Sequence, residues 1–222
     1  MKRIAMFLLL CLFCLSPVLA AQAESVTLSS DEGGYSITLP DGWAKMDPAM
    51  LKQAGALEGS PLSAKAKAQL LATLQGASSA SPDFSRMGSL VVHHAANAAM
   101  GISPADVKTI TAPGNPLAEK IRKDTESTLH KAGMRLSPAM KPPDGLATGM
   151  EQTLPDKRVL YGIMQVRFTT DNVILLSAVL IAPDALSRKE EVQDILDRLI
   201  IGPEKSLQQP AGDFTDAVRP AE

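Results

Sequence analysis

Residues 146–201 read LATGMEQTLPDKRVLYGIMQVRFTTDNVILLSAVLIAPDALSRKEEVQDILDRLII, and this stretch decides the fold. Leu146, Thr148, Met150, Gln152 and Leu154 recur at every second position, Pro155-Asp156-Lys157 turns, and Leu160, Met164, Val166 and Phe168 alternate again. Thr170-Asp171-Asn172 makes a second turn, and Val173 to Ile181 is almost wholly apolar. Period-two patterning interrupted by turn residues predicts three consecutive antiparallel strands. The third reads as a central strand covered on both faces. It is also far shorter than the roughly 20 residues of a bilayer-spanning helix. After Pro183, Ser187 and Glu190 match a capping box, in which each side chain satisfies a backbone amide of the first helical turn. Val192, Ile195, Leu196, Leu199 and Ile200 then trace one helical stripe, so the spacing predicts a helix over Ser187–Ile201 closed by Gly202-Pro203. Burying each large side chain of that stripe contributes about 1.5 to 3 kcal/mol, which requires the helix to dock on the sheet.

Upstream the text is less regular. Val26 and Leu28 alternate with polar neighbours, Asp31-Glu32-Gly33-Gly34 turns, and Tyr35, Ile37 and Leu39 alternate, which predicts a hairpin. Pro40-Asp41-Gly42 ends it with tight-turn residues, and Trp43, the single tryptophan, follows. A short helix over Asp47–Gly59 is weakly marked. Ser60-Pro61 opens a predicted helix over Pro61–Gln75, with Leu62, Ala66, Leu70, Leu71 and Leu74 on one face and Gly76 as its stop. Gly76 to Ser85, rich in Ala and Ser, reads as a low-complexity mobile loop, and Met87 to His94 as a strand. Ser103-Pro104 and Asn115-Pro116 open two more helices, the second mostly polar down to His130 and ended by Gly133. Pro138, Pro142 and Pro143 keep the next connection extended.

The first residues indicate a destination. Lys2 and Arg3 precede an apolar run from Ile4 to Leu15, and Ala21-Gln22-Ala23 offers a small-x-small cleavage site, the pattern of a secretory signal peptide over residues 1–23. Cleavage there leaves 199 residues, divided into a single domain over 24–202 and a loose tail over 203–222 with few apolar residues. The expected location is exported, periplasmic or secreted, with no membrane span after cleavage. Cys11 and Cys14 both fall in the leader, so the mature chain holds no thiol and no cysteine-ligated metal. It keeps 20 basic against 24 acidic residues, a net charge of −4, with no basic stripe, which argues against a nucleic-acid partner.

Tyr35-Ser36-Ile37-Thr38-Leu39-Pro40-Asp41-Gly42-Trp43 and the closing segment Arg158 to Gly202 resemble the Mog1/PsbP-like group of small α/β proteins. The first has the form of that group's aromatic-x-apolar-x-apolar-Pro-x-Gly-Trp opening. The resemblance implies an α+β fold in which an antiparallel β-sheet is sandwiched by helices. It also implies binding and assembly roles, with no catalytic motif to transfer.

Four residues are candidate binding positions. His93 and His94 suit a metal or acid–base site by type, but adjacent strand residues face opposite sides and cannot grip one ion together. Trp43 with Tyr35 makes either a flat groove for a ligand or a plug in the core, the plug being the usual fate of a large aromatic. His130 sits at the end of a polar helix, where the dipole favours a cation. No Gly-x-Ser-x-Gly elbow, phosphate loop or dinucleotide fingerprint occurs. Glu190-Glu191 and Asp194 with Asp197 read as the solvent side of the last helix, and the eight mature methionines are dispersed as core filler. No cofactor, metal site or catalytic residue is assigned. The expectation is an exported, non-catalytic protein that binds a partner protein or envelope component through a sheet face, a sheet edge or the Gly76–Ser85 loop. Two alternatives stay open: a periplasmic small-ligand or metal carrier, and a hydrolase with an unrecognised site.

Overall fold

The structure, a computed structural model, describes residues 25–47, 51, 63–112, 123, 127, 130, 133–137, 139–140, 142 and 144–202. The three strands anticipated from alternation are present as β7 (Gly145–Thr153), β8 (Val159–Phe168) and β9 (Asn172–Ala182). They belong to a seven-stranded sheet that also contains β3 (Ala44–Lys45), β4 (Gln75–Ala80), β5 (Met87–Ala96) and β6 (Arg135–Ser137), in the order β3-β4-β5-β9-β8-β7-β6. Every neighbouring pair is antiparallel. The most apolar strand, β9, takes the middle, where both of its faces are covered and only hydrophobic side chains avoid a desolvation cost. The predicted hairpin is β1 (Thr27–Ser30) and β2 (Tyr35–Thr38), which forms a second, three-stranded sheet with β10 (Leu199–Ile201).

Register assigns the faces. Leu90 and Val92 of β5, Ile174, Leu176, Ala178 and Leu180 of β9, and Tyr161 and Ile163 of β8 lie on one face of the large sheet. Leu28, Ile37 and Leu199 of the small sheet and Val192, Ile195 and Leu196 of the last helix pack against them as the main core. The opposite face buries Val107 of a helix at Pro104–Thr111 against Phe168 and Val173. The fold is α+β, an antiparallel sheet with helices on both faces.

Several boundaries depart from the sequence reading. The helix predicted over Pro61–Gln75 is shorter: α1 covers Ala64–Ala72, its cap is Ser63, whose hydroxyl accepts from the Ala66 amide at 3.1 Å, and Leu74 lies beyond it, while Ser60 lies outside the described residues. Gly76–Ser85 is not a mobile loop, because Gln75–Ala80 is a strand and Ser81–Arg86 a tight turn. Smallness there serves packing: a Cβ at Gly76 would come within 2.6 Å of Leu51 and 3.0 Å of Met46. Low strand propensity therefore gave way to a tertiary need. β5 continues past His94 into α2 (Asn97–Met100), and α3 (Pro104–Thr111) opens with a Ser103–Asp106 capping box, as its Ser-Pro start predicted.

The last helix is shorter than its stripe. Ser187 sits in a 3-10 turn (Ala185–Arg188) and donates to the Asp184 carbonyl at 2.7 Å, so the expected Ser187–Glu190 capping box does not form. α4 covers Lys189–Asp197 with no side-chain cap. Leu199 and Ile200 are strand residues, not helix: β10 completes the open edge of β2, Leu199 turning inward and Ile200 outward. A period-two and a period-3.6 pattern both fit two adjacent apolar residues at the end of a stripe, and a free strand edge decided between them. The leader, the tail and most of the helices predicted at Asp47–Gly59 and from Asn115 lie outside the described residues. Of these segments Leu51 is helical and buried, while Lys123, Ser127 and His130 are helical and exposed.

Candidate functional site

Of the four residues singled out in the sequence, the fold brings together two. Tyr35 and His94 meet edge to face, with ring centroids 5.7 Å apart and planes at 73°. Both are buried, Tyr35 at 4% and His94 at 3% exposure. Among the described residues the Tyr35 hydroxyl and both His94 ring nitrogens have no hydrogen-bond partner. Burial pushes the Tyr35 phenol up to about 12 and lowers the His94 imidazole, the latter partly offset by the Glu32 carboxylate. His93 points to the other face of the sheet and is held down to about 4, chiefly by desolvation and then by His94. Alternation thus separates the two histidines, and among the described residues no group of three His, Cys, Asp or Glu could hold a metal.

Trp43 lies elsewhere. Its ring covers Gly88, where an added Cβ would meet the indole at 3.1 Å. Gly88 and His94 are six positions apart on β5, about 20 Å at strand rise, so Trp43 and Tyr35 do not form a common groove. Trp43 is half-buried against the main core.

The end of the sheet near Trp43 carries the more open site. A cleft of about 310 Å³ is lined by Pro40 of the loop before Trp43 and by Ser187, Glu190, Glu191, Asp194 and Arg198 on or beside α4. Helical spacing stacks Glu190, Asp194 and Arg198 at i, i+4 and i+8 along one wall. Glu191 is engaged, receiving Arg86 at 3.2 Å and Arg188 at 3.1 Å. Among the described residues Glu190, Asp194 and Arg198 have no ion-pair partner. Arg86 joins this wall to the β4–β5 turn, where Phe84 projects at 43% exposure with φ 54°. That turn is rigid: Asp83 accepts from Ser81 Oγ at 2.6 Å and from the Ser85 amide and hydroxyl, which draws its carboxyl down to about 2. Arg158 clamps the Phe84 carbonyl at 2.9 Å. In the sequence Glu190, Glu191 and Asp194 read only as the solvent side of the last helix, where charge is ordinary. Their i, i+4 spacing was visible, but the facing Pro40 loop was not.

A third polar cluster contains catalytic residue types. Lys189 Nζ donates to Ser137 Oγ at 2.9 Å, lies 3.6 Å from Glu151, and sits 5.4 Å above the Tyr161 ring. Ser137 also hydrogen-bonds the Tyr161 phenol, which burial raises. A serine nucleophile needs a base to accept its proton, whereas here an ammonium paired with a carboxylate occupies the oxygen's lone pair. The arrangement fastens the start of α4 to β6–β8. Asp144 and Arg167 likewise form a two-bond ion pair at the end of β8, both side chains being largely buried.

No protein-family model matches the chain, and no curated protein matches it. Solved structures similar to it include the Ran-binding protein Mog1p of Saccharomyces cerevisiae, at 10% identity and TM-score 0.42, covering 81% of this chain and 96% of that one. A cyanobacterial PsbP of Synechocystis is similar at 12% identity and TM-score 0.42, covering 84% and 97%. LpqN of Mycobacterium tuberculosis, involved in cell envelope biogenesis, is similar at 13% identity and TM-score 0.34, covering 82% and 93%. No helix among the described residues is long and apolar enough to cross a membrane. The antiparallel architecture rests on the strand register itself.

Proposed function

We propose that this is an exported, non-catalytic binding protein, and that its partner, another exported protein or an envelope component, docks at the cleft between the Pro40 loop and α4. The observation that carries this reading is the wall of Glu190, Asp194 and Arg198, three charges without ion-pair partners among the described residues. A rigid turn beside it presents an exposed aromatic, Phe84. Preorganised turns and exposed aromatic anchors lower the ordering cost of association, and unpaired charges set orientation and partner choice. The cleft volume lies at the small end of ligand pockets, and its walls are charged rather than apolar, which favours a polypeptide segment over a small apolar ligand. Export is inferred from the leader pattern of residues 1–23.

The test is a comparison of the parent with Glu190→Lys/Asp194→Lys and with Phe84→Ser in crosslinking from envelope fractions. Far-ultraviolet circular dichroism confirms that each variant is folded. A specific crosslinked species present with the parent and lost with both variants supports the reading. Identical crosslinking by all three proteins removes the cleft as the docking site.

A further inference from the structure

The buried Tyr35–His94 contact is not used by the binding reading, and its surroundings show why it is poised. His94 lies near the end of β5, beneath the β1–β2 turn. Gly33 of that turn packs so closely that an added Cβ would come within 2.7 Å of the Tyr35 ring and 3.0 Å of His94 Cγ. The His94 backbone is fixed, because Thr73 Oγ1 donates to its carbonyl at 2.6 Å and accepts from its amide at 2.9 Å. The turn is held more lightly. Its tie to the β8–β9 corner is the Asn172 side-chain amide, which donates to the Glu32 carbonyl at 3.0 Å, and Gly202 donates to Gly34 at 2.9 Å. Three buried polar atoms without partners among the described residues, Tyr35 Oη and the two His94 nitrogens, therefore lie at the seam between a fixed strand and a lightly held turn.

We propose that this seam is an acid-released latch: when His94 gains a proton, the β1–β2 turn lifts from the end of β5 and exposes Tyr35. A charged imidazole needs acceptors for two N–H groups, and among the described residues the closed seam offers none. The groups around it define the direction of movement. From the turn, the exposed Glu32 carboxylate favours the charged form, with Asp31 next to it. Along β5, His93 lies on the other face, and it is His94 that lowers the His93 imidazole, after desolvation. Across the sheet, β9 places apolar Ile174 opposite His94, and Arg167 beyond Ile174 is already paired with Asp144. Asp171 lies at the β8–β9 corner. The charged ring reaches Glu32 and water only by breaking its contact with Tyr35 and Gly33. At neutral pH the imidazole is uncharged and the latch is closed.

The chain has two tyrosines, so 3-fluorotyrosine labelling of the full chain gives one reporter, Tyr35, and one internal control, Tyr161. A one-proton opening raises the open population about tenfold for each pH unit below the ordinary histidine value of about 6.5, until the folded-state value is passed. Expected is a fluorine signal of Tyr35 that moves to its solvent-exposed position between pH 6.5 and 4.5, while the Tyr161 signal stays. His94→Phe keeps the ring contact without a titratable group and should hold Tyr35 buried throughout. His93→Gln should behave as the parent. Three results overturn the proposal: a Tyr35 signal unchanged to pH 4.5, equal movement in His94→Phe and the parent, or joint movement of Tyr35 and Tyr161. Should His94→Phe fail to fold, the parent's own contrast between Tyr35 and Tyr161 decides the matter.

Discussion

Leu196 and Ile200 lie four residues apart on one apparent helical stripe, and replacing each by alanine separates the stripe from the fold. Leu196 is fully buried on α4 within the main core, whereas Ile200 on β10 is 69% exposed. Truncating a buried leucine costs the lost transfer energy plus a cavity term, about 3 kcal/mol within the usual range of 2 to 5. For a domain of this size each kcal/mol moves the melting temperature by about 2 to 4 °C, so Leu196→Ala should lower it by about 6 to 12 °C. Ile200→Ala removes side chain that is mostly in water, and surface changes stay within about 0.5 kcal/mol, a shift of no more than about 2 °C. The assay is thermal unfolding followed by circular dichroism at equal protein concentration, with urea midpoints as a second measure. Equal losses for the two variants would mean that the helix runs on through residue 200 and buries it. The assignment of Leu199–Ile201 as the third strand of the small sheet would then be wrong.

Three further outcomes are expected. Asp144→Ala should cost about 3 kcal/mol by leaving Arg167 charged and largely buried without its partner, and the double variant Asp144→Ala/Arg167→Met should recover part of that loss; a double variant worse than the single one refutes the pairing. Tyr35→Phe should raise urea stability by about 1 kcal/mol, since it deletes a buried hydroxyl that has no partner among the described residues, and a loss of that size would show the hydroxyl to be bonded. His93 has a folded-state value near 4, below its unfolded value of about 6.5, so the unfolded chain takes up its proton first. Global stability should therefore decline as pH falls from about 6.5 to about 4, and His93→Gln should flatten that part of the urea profile.

Chain patterning alone determined the three long strands of the last third, the β1–β2 hairpin and the Ser103-capped helix. In each, a local rule of period two, turn chemistry or capping had no competitor within reach. It also foretold that His93 and His94 cannot act jointly, because alternation is a property of the backbone. Tertiary structure decided the rest. Gln75–Ala80 became a strand because Leu51 and Met46 press on Gly76, a contact between residues far apart in the chain. Leu199–Ile201 left the helix because β2 offered an unpaired edge, and Ser187 gave up its capping role to the Asp184 carbonyl. The candidate cleft was equally hidden, since its wall is legible as helical spacing but its opposite side, Pro40, arrives from about 150 residues away. Spacing reports which side chains share a face. Only packing reports what faces them.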